Sequence, residues 1–519
     1  MSFISIKYIA FLIISVLLYY IVPKKYKWVI LLASSYVFYY LSSKSLLIFL
    51  LISTLSIYAA GLIIDRENLK VKLLGANLEK DEKKILKNNA KKHKKAVVFA
   101  MILVNFGILL VLKYSGFFCK NINHLLELVN LKTFSIKSFV LPLGISYYTL
   151  MAISYVVDVY RGKYKAEENL GKLALYLSFF PQMVEGPIAK YDQTATPLYE
   201  GHKFNINTFI HGATLIIVGM FKKLVIADRA GIYVNSIFGT DTHGFAMFFG
   251  AVLYTLQIYA EFSGCMDIVL GSGKLFGVDL PENFKRPFFS RSIQEFWRRW
   301  HITLGAWIKD YIFYPISLSS FNTRVCRFFT KHFPKGMAKF LVVAFPLLFV
   351  WLYNGIWHGS SWKYIAYGMY YYVLIMIGIL LTPLLAKIRE KLKINQENIL
   401  YKIYEIVRTS LFVTIGMMLF RSHSLRTFLQ NFMNIFKKQN SNVLSFGLEI
   451  FDYVILAIYV VVLLIIGILQ EKNKKIYDSL SNKNIFIRYF VYIFIVLCII
   501  LFGIYGEGYD TASFIYGQF

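Results

Sequence analysis

Apolar runs separated by short basic connections recur along the whole of this chain. They fall near residues 3–22, 28–42, 45–64, 96–113, 139–157, 172–188, 207–227, 244–262, 339–357, 362–384, 407–420, 450–469 and 485–505. Most are roughly 15–22 residues long, near the length that carries a helix across hydrocarbon. A backbone in lipid must satisfy its own hydrogen bonds, which leaves helices as the expected element for runs of this length. The pattern predicts an all-α, polytopic membrane protein with about eleven to thirteen spanning helices. The first run lacks a small-residue cleavage site and is followed closely by further spans, so it reads as a retained helix rather than a removed secretory signal.

Composition agrees with the pattern. Of 519 residues, 57% are hydrophobic and only 17% charged, against about a quarter charged in soluble domains. The net charge of +28 raises the question of nucleic acid. The Lys and Arg residues lie in the connections, however, where positive charge sets membrane topology. The expected partner is therefore the lipid bilayer, with no nucleic acid. The richest connection, "DRENLKVKLLGANLEKDEKKILKNNAKKHKK" (65–95), belongs on the cytoplasmic side. Three runs precede it, which places the N-terminus outside. With that start the basic stretches 23–27, 285–299, 324–339, 387–393 and 472–488 can all lie inside, and the last span runs outward. The expectation is a multi-pass protein of the plasma membrane with both termini extracytoplasmic.

No period of 20–50 residues repeats, and no soluble module is apparent. The chain reads as one polytopic domain, with N-terminal helices at 1–138, a catalytic core at 139–384, C-terminal helices at 385–505 and an outer tail at 506–519. Cys119, Cys265, Cys326 and Cys498 show neither CxxC nor metal-ligand spacing, so no metal and no disulfide framework is expected. Cys326, in a basic connection, is a candidate for palmitoylation.

Ionisable residues inside apolar runs are costly and mark function. His93, His124, His202, His243, His332 and His423 fall in or beside polar connections, and His211 sits early in a run. His358 differs, because "FLVVAFPLLFVWLYNGIWHGSSWKYIAYGMYYY" surrounds it with apolar and aromatic residues. Gly355 and Gly359 beside it leave room for a backbone or a substrate to approach. Burial favours its neutral form, and its unperturbed pKa lies near operating pH, so it is a candidate general base. The alternative is a histidine hydrogen-bonded to a neighbouring carbonyl.

A second group lies in "SIQEFWRRWHITLGAWIKDYIFYPI" (292–316). Ser292 and Glu295 have capping-box spacing, so a helix is expected to start there. Along it, Trp297 would lie beside His301 at i, i+4, Trp300, Leu304 and Trp307 or Ile308 would form an apolar stripe, and Arg298 and Arg299 would face another sector. These residues read either as ordinary interfacial anchors or as the entrance for an acyl donor. In the second case Arg298 and Arg299 would take the phosphates, Trp297 and Trp300 would line the way, and His301 would orient or polarise. "GSGK" at 271–274 lacks the other residues of a phosphate-binding loop, and Ser263 is not in a G-x-S-x-G elbow.

With these residues in view, the sequence resembles the membrane-bound O-acyltransferase family, in particular its bacterial alginate O-acetylation branch. It is also similar to the D-alanyl-lipoteichoic acid transfer proteins. "LPLGISYYTLMAISYVVDVYRG" (141–162), "FFPQMVEGPI" (179–188), the long segment 258–316 and "GIWHGSSW" (355–362) follow the family's order. The resemblance implies a ring of membrane helices around a central tunnel, with His358 as the essential histidine and His301 as the second. Departures are Glu261 and Cys265 in "YAEFSGC" and Glu185 in "FFPQMVEGPI". The ending "FIYGQF" is similar to a C-terminal F-I-Y-x-x-F motif of this branch, whose longer form has a Phe where this chain has Thr511. The tyrosine, here Tyr516, is implicated there as an acyl carrier. A phenol's acidity lies close enough to a thiol's that an acyl-tyrosine keeps most of a thioester's transfer potential, and a buried imidazole can take its proton.

These features imply an O-acyltransferase with no bound cofactor. It would take an acyl group, acetyl by expectation, from a cytosolic coenzyme A or carrier-protein thioester and pass it through Tyr516. An extracytoplasmic SGNH-type, esterase-like transferase would complete O-acetylation of a cell-surface polysaccharide or peptidoglycan. D-alanyl transfer to teichoic acid is the alternative. A polysaccharide-precursor transporter is the third reading, and it calls for internal repeats and paired broken helices, which the sequence does not show.

Overall fold

The computed structural model describes residues 2–136 and 139–505. Its regular structure is helical. The pairing outside helices among the described residues is an isolated antiparallel bridge between Phe284 and Trp300. Nine helical stretches among them are long and apolar enough to span a membrane, and Ile6–Ile21 is apolar but shorter, at 16 residues. The chain is a multi-pass membrane protein.

Two apolar runs became something other than long lipid-facing helices. The run at 139–157 forms Ile145–Arg161, a helix buried at nearly every position from Ile145 to Val159. The run at 172–188 breaks into Leu170–Ser178 and Phe180–Met183. Phe179 leaves the helical region (φ −48°, ψ 109°), with Pro181 just after it. The Phe180 N–H released by the break donates to Ser35 Oγ at 3.1 Å, which satisfies it inside the protein. A hydrophobic run marks burial but does not say whether lipid or protein does the burying.

The basic stretch 65–95 is also more ordered than a connection. Helices Leu47–Leu74 and Lys80–Leu128 continue through it, because Lys, Glu and Leu are strong helix formers even in water. His93 pairs with Glu67 at 3.1 Å and Lys94 donates to Asn68 at 2.7 Å, holding the two extensions side by side.

The chain divides into two compact units. The first takes the described residues to Ile216 and Val269–Pro281. In it Leu47–Leu74, Lys80–Leu128 and Ile145–Arg161 pack on one another, and Phe3, Tyr8, Phe11, Phe38 and Phe180 form a cluster of ring contacts.

The second unit takes Ile217–Ile268 and the described residues from Glu282 on, and it holds both candidate histidines. Helices Lys335–His358 and Trp362–Lys391 form a tight hairpin in which glycines face the opposite backbone. A Cβ on Gly355 would stand 2.4 Å from Tyr364 O, and one on Gly368 would stand 2.2 Å from Trp351 O. The space left by Gly355 is thus occupied by the neighbouring helix, not kept for a substrate. This close crossing, of the kind small residues permit in membranes, places His358 at the end of its helix against Tyr367, with ring centroids 5.7 Å apart.

Gly368→Ala should therefore push the hairpin apart. Overpacking of this kind costs about 1–3 kcal/mol, and the melting temperature in detergent is expected to fall. An equally bulky change at Gly378, where a Cβ meets nothing within 4 Å, should leave it nearly unchanged.

Candidate functional site

The segment 292–316 does begin a helix at Ser292, whose side chain accepts from the Glu295 N–H. That helix, Ile293–Arg299, ends after seven residues. Trp300 is extended, His301 takes a left-handed conformation (φ 48°, ψ 52°), and a new helix runs Ile302–Ile308. The expected i, i+4 placement of Trp297 beside His301 is lost with the helix between them. Trp297 packs instead on Tyr371 at 4.7 Å and Trp351 at 5.2 Å.

The break arises from a second segment that competes for the same backbone groups. Lys285 N–H donates to Arg299 O at 2.9 Å, and Ile302 N–H to Asn283 O at 3.0 Å. The Asn283 side-chain oxygen accepts from Thr303 N at 3.0 Å and Thr303 Oγ1 at 2.7 Å. These bonds offset the cost of a left-handed histidine, of order 1–3 kcal/mol.

They also fix the tautomer of His301. A backbone N–H can only donate, so the Asn283 atom facing Thr303 is the oxygen. His301 Nδ1, 3.4 Å from that same oxygen, must then carry the proton, because two acceptors cannot bond. Nε2 is left with its lone pair and has no hydrogen-bond partner among the described residues. The ring is 2% exposed, between Phe262 at 4.9 Å and Trp357 at 5.8 Å. Burial pushes its pKa down to about 3, so it is neutral at physiological pH.

His358 lies next to the same indole. Its ring is 5.0 Å from Trp357, 5.4 Å from Phe420 and 5.7 Å from Tyr367, and it is as buried as His301. Both histidines thus meet Trp357 edge to face. This brings together two residues 57 positions apart that the sequence paired only through the family resemblance.

The arginine pair divides. Arg299 is held by Glu295 at 2.7 Å and Glu471 at 2.6 Å, and Glu471 also takes Arg286 at 3.0 Å. Arg298 is exposed. Trp300 is buried against Phe284, Phe296 and Phe262. A cavity of about 150 Å³ lies nearby, lined in part by Tyr259, Phe288, Arg286 and Lys222. Tyr259 links it to Trp300 through a 6.0 Å ring contact, and neither histidine lines it. Tyr516, with Phe514, Ile515 and Phe519, lies outside the described residues.

Sequence reasoning passed over Asn283, which no spacing rule singles out. It also passed over Lys222 and Lys223, which do carry a signal, being two lysines inside the apolar run 207–227. Lys223 is 2% exposed and sits between Glu261 at 2.9 Å and Asp228 at 2.8 Å. Lys222 pairs with Asp267 at 2.6 Å. Glu261, noted as a departure, is the longer carboxylate that reaches Lys223.

Comparison with known proteins places the chain beside a family of membrane acyltransferases. Residues 169–422 match the membrane-bound O-acyltransferase family. The chain is 33% identical to a probable alginate O-acetylase of Pseudomonas syringae pv. tomato over 327 residues, 62% of this chain and 57% of that one. It is 30% identical to a peptidoglycan O-acetyltransferase of Helicobacter pylori, over 55% of this chain and 56% of that one. It is likewise 30% identical to a teichoic acid D-alanyltransferase of Bacillus subtilis, over 45% and 57%. The matches thus span somewhat more than half the length of these relatives.

The depressed pKa of His301 has a consequence for stability. On acidification the unfolded chain protonates this residue near pH 6.5, its ordinary value, while the folded chain resists down to about pH 3. The stabilisation is complete above about pH 6.5 and is lost progressively below it. His301→Gln should flatten the fall in melting temperature between pH 7 and 4.5. Parallel acid limbs for the variant and the unmodified protein would contradict the assignment.

Proposed function

Because residues 169–422 match the membrane-bound O-acyltransferase family, we propose that this chain moves an acyl group, acetyl first of all, from a cytosolic thioester to an acceptor outside the membrane. The observation that carries the reading is the pair of buried imidazoles in contact with Trp357, one of them with its tautomer set.

In the proposed step His358 takes the phenolic proton as the Tyr516 oxygen attacks the thioester carbonyl. The C–S bond breaks, and the thiolate recovers the proton from the imidazolium. The products are an acyl-tyrosine ester and a free thiol of coenzyme A or a carrier protein. His301 presents a hydrogen-bond acceptor, which suits orienting an N–H of the donor's amide arm and not polarising its carbonyl. Arg298 is the arginine available for the donor's phosphates, while Arg299 holds the helix in place. Trp297 and Trp300 form the aromatic frame around them. An SGNH-type extracytoplasmic transferase would then carry the group to a polysaccharide or peptidoglycan.

An outward tail has structural support. Helices Ile450–Glu471 and Ile485–Phe502 meet at one end, with Phe451 and Phe502 rings 5.8 Å apart. The basic stretch between them lies at the other end of this hairpin, where the cytoplasm is expected, which supports an outward exit of the chain at Phe502. D-alanyl transfer is the second reading, favoured by the likeness to the teichoic acid enzyme over 45% of the chain, against 62% for the alginate relative.

Tyr516→Phe should fold normally and abolish envelope acylation, and His358→Ala should reduce it by at least a hundredfold. Release of acetate or of D-alanine from the envelope by mild base separates the two readings, and full acylation in the Phe variant would remove the tail from the mechanism.

A further inference from the structure

The helical stretch that carries Lys222 and Lys223 is not an ordinary α-helix. Residues Lys222–Ala227 form a π turn, in which Asp228 N–H donates to Lys223 O instead of Leu224 O. π turns of this kind concentrate at functional sites. Here the shift has an identifiable use, because Leu224 O accepts from Ile504 N–H at 2.9 Å.

Arg229, one turn further on, is 4% exposed. Its Nη2 donates to Phe502 O at 2.6 Å, a carbonyl at the C-terminal end of the last helix, where the chain lacks an internal donor and a cation is favoured. Its Nη1 lies 3.3 Å from Asp452 Oδ1, in the first turn of Ile450–Glu471. Main chain at two positions, Phe502 and Ile504, is thus fastened to one π turn and one buried guanidinium. A helix end that needed only to stop could be capped by water.

We propose that this clasp is a positioning device that fixes the take-off point of the segment carrying Tyr516, so that the phenol is delivered to the site at His358; the inference rests on the acyl-tyrosine reading above. Tyr516 follows Tyr505 by 11 residues, a tether that reaches at most roughly 36–40 Å. A tethered nucleophile's effective concentration depends on where its anchor stands and how far the tether must stretch. Releasing Phe502 and Ile504 frees both variables at once. Arg229 and Leu224 O act through the tail and touch no reacting atom.

The test uses the purified full chain in lipid nanodiscs, with labelled acetyl-coenzyme A and acetyl-pantetheine as parallel donors, and reads acyl-Tyr516 formation by mass spectrometry of the C-terminal peptide. Arg229→Gln removes the guanidinium and could also disturb folding, so Ile504→Pro provides the second arm. It deletes the N–H that Leu224 O receives together with the isoleucine side chain, and Gly503 already has the extended conformation (φ −68°, ψ 142°) that a following proline demands. Both variants should slow acyl-tyrosine formation at least fivefold at unchanged donor KM, with the melting temperature of Ile504→Pro unaltered, and Ile504→Val, which keeps the N–H, should restore the full rate. Equal rates for Ile504→Pro and Ile504→Val would overturn the positioning role alone. No acyl group on Tyr516 in the unmodified protein with either donor would overturn the acyl-tyrosine reading, and this inference with it.

Discussion

The side-chain oxygen of Asn283 is the contact on which the site's geometry depends. It receives the Thr303 N–H and hydroxyl and lies against His301 Nδ1. By doing so it starts the second helix and, with Lys285 N–H on Arg299 O and the Asn283 carbonyl on Ile302 N–H, holds the histidine between the two helices in a conformation that it would not adopt alone. The same oxygen determines which ring nitrogen keeps its lone pair. In water a single carboxamide would do little of this. In a buried site, where an unmade hydrogen bond costs about 1–3 kcal/mol, it dictates the arrangement.

The same economy of polar groups runs through the second unit. Lys222, Lys223 and Arg229 are each matched by a carboxylate on another segment. A buried ion pair is weak as a source of stability, but removing one partner is costly. Such pairs therefore act mainly as constraints on where helices stand. The Lys223 pairings join the π turn to helix Phe245–Leu275 through Glu261 and to its own following turn through Asp228, and the π turn exposes a carbonyl for Ile504. Glu261, which looked like a family departure, and lysines inside an apolar run are, in the folded chain, fasteners of the second unit.

Aromatic packing supplies what polar contacts cannot. Trp357 meets both imidazoles, and Trp297, Trp351, Tyr367 and Tyr371 form a continuous series of ring contacts next to His358. Edge-to-face rings fix orientation as well as excluding water.

Hydrophobic run lengths by themselves determined that this chain is a helical, multi-pass membrane protein, because lipid leaves the backbone no other means of satisfying its hydrogen bonds. Ordered motifs around His301 and His358 were enough to point to the family. Only the tertiary structure decided the rest. Periodicity carried Trp297 and His301 onto one helix, since nothing local to 292–316 reveals that 283–285 will take its hydrogen bonds. Run length made a span of 172–188, since hydrophobicity is the same whether lipid or protein surrounds a residue. The tautomer of His301, the partner of Glu261 and the division of labour between Arg298 and Arg299 depend on groups distant in sequence, and contacts of that kind are settled by packing.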